Sequence, residues 1–125
     1  AGVRVLLVDH DAGLRESFQT VLDDYGAEVT AVASASEALA ALERARPDVM
    51  LFGDLAMRGE SVYDLMREVT VRACPLPVAS ISAWRLEERE RERAAGFRLH
   101  LAKPLEIGAL VDAVADLAGR TRGNR

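Results

Sequence analysis

Four short stretches carry the residues equipped for chemistry: Asp9-His10-Asp11, Gly53-Asp54, Ser82-Ala83-Trp84 and Lys103-Pro104. Together they offer carboxylates, a hydroxyl and an ammonium, a set able to hold a cation and a phosphoryl group at once. One residue is out of keeping: His10, an imidazole wedged between two aspartates.

Each stretch follows an apolar run. The runs are VRVLLV (3–8), AEVTAV (27–32), DVMLFG (48–53), PVASIS (77–82) and RLHLA (98–102). The first, third and fourth are apolar nearly throughout, the pattern of strands buried on both faces. Helical spacing fills the intervals. Ala12–Tyr25 carries Leu14, Phe18, Val21 and Leu22 and is stopped by Gly26. A second helix, capped by Ser34 or Ser36, carries Ala38, Leu39 and Leu42 and cannot continue through Pro47. Further helices are expected over 62–71, over the charged segment 85–95 and over 106–118, with GRTRGNR as a frayed tail. Strands alternating with helices imply an α/β fold with a parallel sheet covered on both faces. In such sheets ligands sit at the carboxyl ends of the strands, beside a topological switch point. All four stretches fall at those ends.

Composition narrows the function classes. At 125 residues the length fits one domain, and 50% hydrophobic residues argue against disorder. A net charge of −4 offers no basic patch for nucleic acid. No apolar run approaches the roughly 20 residues of a membrane span. The single cysteine, Cys74, has no intrachain disulfide partner, in keeping with a reducing cytoplasm. The chain opens at Ala1 directly on a strand, as an excised segment would, which leaves room for neighbouring domains. An independent small-molecule enzyme is poorly supported, since no Gly-rich phosphate loop and no nucleophile–base pair stands out.

Five pieces in order, LLVDHD, DLAMRG, SISAW, AAGF and HLAKP, give the chain its resemblance to the receiver domains of bacterial two-component response regulators, with a flavour of those attached to hybrid sensor kinases. The resemblance covers nearly the whole length, placing a receiver domain at 1–119 and a tail at 120–125. It implies a doubly wound, flavodoxin-like three-layer sandwich whose five-stranded parallel sheet runs 2-1-3-4-5. It implies a cytoplasmic phosphoacceptor that takes a phosphoryl group from a histidine kinase or phosphotransfer domain and catalyses at most its own phosphorylation and dephosphorylation. Asp54 matches the phosphoacceptor, Asp9 the first residue of the acidic pair, Ser82 the switch hydroxyl and Lys103 the lysine that pairs with the phosphoacceptor. Asp9, Asp54 and the His10 position would form the magnesium site. Dimers or effectors would use the face made by the family's fourth helix, fifth strand and fifth helix, here including Arg89, Arg93, His100 and the outer side of 106–118.

Several positions depart from the family pattern. His10 stands where the second carboxylate is usual; it removes a negative charge and prefers softer ions than magnesium. Weak magnesium binding is therefore expected, with Asp11 a candidate to swing in or His10 a solvent-facing bystander. Counting forward from Pro47-Asp48 puts Gly53 in the acceptor slot, whereas counting backward from LAMRG puts Asp54 there. The contiguous match favours Asp54, with Gly53 absorbing one extra residue as a bulge. Arg58 replaces the usual proline, Ser61-Val62 the usual Asp-Gly, and His100 the usual aromatic switch residue. These departures keep a second function in view: a pseudo-receiver that signals by protein contact without efficient phosphorylation.

Overall fold

The computed structural model describes residues 2–9, 11–44, 46–52, 67–69, 76–82, 99–102 and 107–122. Strands β1 (Arg4–Val8), β2 (Glu28–Val32), β3 (Val49–Phe52), β4 (Val78–Ser82) and β5 (Leu99–Ala102) form one parallel sheet. β1 lies between β2 and β3, with Val8 level with Val32 on one side and Phe52 on the other. β4 follows β3, and β5 follows β4. The chain therefore runs outward in opposite directions from β1, which makes the carboxyl end of β1 a switch point.

Alternation along β1 divides the core in two. Leu6 and Val8 join Met50, Phe52, Ala38, Ala41 and Leu42 on the face covered by helix α2 (Ala35–Arg44). Val5 and Leu7 join Val49, Leu51, Leu22, Leu110, Val114 and Leu117 on the other face, under helix α1 (Ala12–Asp24) and the C-terminal helix (Ile107–Arg122). Helices thus cover both faces of the parallel sheet, as the strand–helix alternation requires. All four residues of β3 are fully buried, so Leu51→Ala should cost about 2–5 kcal/mol of stability.

Local signals set the helix ends. Asp11 caps α1, its Oδ1 accepting from the Leu14 N–H at 3.0 Å. At the other end Gly26 adopts φ +90°, and the N–H groups of Gly26 and Ala27 donate to the carbonyls of Asp23 and Leu22, a Schellman motif. Glycine is needed there for its left-handed backbone, and Gly2 is needed beside it, because a Cβ at Gly2 would run into the Gly26 carbonyl oxygen. Of the two candidate caps of α2, Ser34 is the one used: its Oγ accepts from the Glu37 N–H, while Glu37 Oε1 accepts from the Ala33 N–H. That is a capping box whose return bond reaches one residue further back than usual.

One expectation is corrected. The C-terminal helix continues past Ala118 to Arg122, through residues expected to fray. A single Gly119 costs a helix only about 1 kcal/mol, too little to end it while backbone hydrogen bonding persists. The expected helix at 62–71 is described only at 67–69, where it is helical, and that at 85–95 lies outside the described residues.

Candidate functional site

The site is built at the exit of β1. Asp9, next after the strand, is 0% exposed, a carboxylate wholly withdrawn from solvent. Its N–H donates to the Val32 carbonyl at 3.1 Å, continuing the β1–β2 ladder one residue beyond the strand. Its Oδ1 accepts from the Asp11 N–H at 2.9 Å. Its carbonyl oxygen accepts from Arg15 Nη1 at 2.8 Å, so α1 grips the strand exit by a guanidinium. Taking a carboxylate out of water is costly unless hydrogen bonds or a cation compensate.

Asp9 and Asp11 are separated by one residue and have different employment. Asp11 is exposed, and its Oδ1 is committed to the first turn of α1. The expectation that Asp11 might swing in to replace a missing carboxylate is thus met by a competing use. An aspartate immediately before a helical pattern is itself a cap signal, and that signal identifies its role.

Of the other expected site residues, Ser82 is the last residue of β4, level with Ala102 at the end of β5. Lys103 is next in the chain after Ala102. His100 lies on β5, level with Ser80. His10, Gly53, Asp54, Arg58, Ser61, Val62, Trp84, Arg89, Arg93 and Lys103 lie outside the described residues. The sheet register nevertheless brings the ends of β1, β3, β4 and β5 to one edge of the molecule. Among the described residues no group of three or more His, Cys, Asp or Glu gathers to hold a metal ion. Asp9 fits magnesium in its hard oxygen chemistry.

Arg15 was not singled out by its sequence position. It stands six residues beyond Asp9 and on the helix that follows, and its N–H makes an ordinary helical bond to the Asp11 carbonyl. Nothing in local periodicity announces that its side chain turns back to the strand.

Comparison with known proteins agrees with this layout. The response regulator receiver domain family matches residues 5–115. An uncharacterised 14.6 kDa protein from the sodA1 3′ region of Leptolyngbya boryana is 35% identical over 111 residues, covering 85% of this chain and 82% of that protein. Response regulator protein FleR of Pseudomonas aeruginosa is 36% identical over 116 residues, 90% of this chain, but this chain spans only 24% of FleR. Among solved structures, the receiver domain of sensor histidine kinase PA1611 from Pseudomonas aeruginosa superposes with a TM-score of 0.84 at 28% identity, covering 95% of this chain and 99% of that one. That structure has a magnesium ion coordinated in its active-site cleft. No helix among the described residues is long and apolar enough to cross a membrane. With the buried aspartate at the switch point and the family match across 5–115, the chain belongs to the response regulator receiver domain family.

Proposed function

We propose that the chain is a phosphoacceptor of a two-component phosphorelay, taking a phosphoryl group from a histidine kinase or phosphotransfer domain onto Asp54 and switching its protein contacts in response. The observation that carries this is the fully buried carboxylate of Asp9 at the switch point of a receiver fold. The contiguous match through Asp54-Leu55-Ala56-Met57 supports Asp54 over Gly53.

In this mechanism a carboxylate oxygen of Asp54 attacks phosphorus, the bond from phosphorus to the donor's imidazole nitrogen breaks, and the donor departs as protonated or neutral imidazole. A carboxylate is a weak nucleophile, so catalysis consists of positioning and charge neutralisation. Lys103 neutralises the phosphoryl oxygens, and the Ser82 hydroxyl donates to the product. Asp9 and Asp54 would hold a magnesium ion, which supplies further neutralisation at those oxygens when bound. Arg15 holds the Asp9 peptide in place. The domain catalyses at most its own phosphorylation and dephosphorylation, works in the cytoplasm, and passes its signal through the face that includes Arg89, Arg93, His100 and the outer side of 106–118.

A second function, a pseudo-receiver signalling by contact alone, is favoured by one observation. Asp11 is occupied as the cap of α1, so it does not stand ready to make good the carboxylate that His10 replaces. Intact mass after incubation with acetyl phosphate, with and without magnesium, separates the two. The phosphoacceptor gains one phosphoryl group in wild type and none in Asp54→Asn. A wild type that gains nothing under either condition is a pseudo-receiver.

A further inference from the structure

We propose a second binding site, for a compact phosphate-bearing small molecule, at the amino end of the sheet. A cavity of about 240 Å³ is lined there by Arg4, Arg44 and Arg46 with Glu28 and Thr30, beside Pro47. It lies at the opposite end of β1 from Asp9, since Arg4 opens the strand and Val8 closes it. Three guanidinium groups stand against the carboxylate of Glu28 in the lining and that of Asp48 at the Arg4 N–H, a surplus of one positive charge in a chain of net charge −4. Guanidinium stays protonated and presents paired N–H donors that match phosphate oxygens. The Thr30 hydroxyl adds a further donor.

The backbone around the cavity is held in register. The Asp48 N–H donates to the Arg4 carbonyl at 2.7 Å, and Asp48 Oδ2 accepts from the Arg4 N–H at 2.9 Å. These two bonds pin the turn after α2, which carries Arg46 and Pro47, to the first residue of β1. Arg44 comes from the last turn of α2. A strand, a helix end and a loop thus deliver one cation each to the same cavity. The helix dipole accounts for Arg44 alone, because a cation at a helix C-terminus is favourable in its own right. It does not account for Arg4 on the strand or for Arg46 beyond the helix. The cavity is smaller than the roughly 300–1,000 Å³ usual for drug-sized ligands, which selects a compact anion.

The test is an amide-resolved NMR titration of the whole chain with pyrophosphate in metal-free buffer, with orthophosphate and AMP as parallel arms to distinguish bare phosphate from a nucleotide. Saturable shifts are expected at Leu6, Glu28, Thr30 and Ala41. Replacing Arg44 and Arg46 together by serine removes two exposed side chains and should weaken binding about tenfold or more. Glu28→Gln should tighten it, and Lys103→Ala should leave it unchanged. Equal affinity in wild type and the double variant, loss of binding in Lys103→Ala, or no saturable shift in any arm overturns the proposal.

Discussion

The two ends of β1 are built with the same device and put to different use. At the carboxyl end Asp9 accepts an N–H from Asp11, two residues away, and is fully buried. At the amino end Asp48 accepts an N–H from Arg4, 44 residues away, in an exposed bond. The first aspartate shapes its own loop and is withdrawn from solvent. The second ties two distant segments together at the surface. The buried carboxylate is held by a short-range bond, whereas the half-buried one bridges segments as a fastener. Position in the sheet, more than residue type, sets the role.

Breaking the carboxyl end should have the largest effect. Asp9→Asn retains an Oδ1 able to accept the Asp11 N–H but removes the charge. Magnesium binding measured by calorimetry should weaken by about a hundredfold, the equivalent of losing roughly 3 kcal/mol of charge-assisted contact, while the fold persists. Asp11→Ala sharpens the contrast between neighbouring carboxylates. Loss of the cap should lower unfolding stability by about 1 kcal/mol in denaturant titration, with magnesium affinity unchanged. If magnesium affinity falls with it, Asp11 serves the ion after all. Asp48→Ala should give the smallest effect, roughly 0.5–1 kcal/mol of stability for an exposed pin, with no change at the magnesium site.

What the sequence disclosed and what it concealed divide along similar lines. The stop at Gly26 and a start at Ser34 or Ser36 were legible because their causes are local: a left-handed residue and a hydroxyl three residues from its donor. The buried strands β1 and β3 were legible from unbroken apolar runs. Of the candidate site, Asp9 was legible as an acidic residue at a strand exit, and its complete burial fits that role. The use of Asp11 as a cap was not read from the sequence, because two local uses of one carboxylate, ligand and cap, look alike before the helix start is known. The Arg15 grip and the Asp48 pin were invisible for a different reason. Each depends on where a folded helix or loop is carried in space, and no spacing rule encodes that. The extension of the last helix to Arg122 was hidden because glycine penalises a helix without forbidding it.

On the proposed function, the cation site of a phosphoryl-accepting receiver is weakened at position 10. The most direct measurement is magnesium titration by calorimetry in wild type and His10→Asp, paired with the rate of phosphorylation by acetyl phosphate. Restoring a carboxylate should tighten magnesium by about tenfold to a hundredfold, an added charge-assisted contact of roughly 1.5–3 kcal/mol, and should speed phosphorylation in step. Equal magnesium affinity and equal rates in the two proteins would contradict the claim and show His10 to be a bystander.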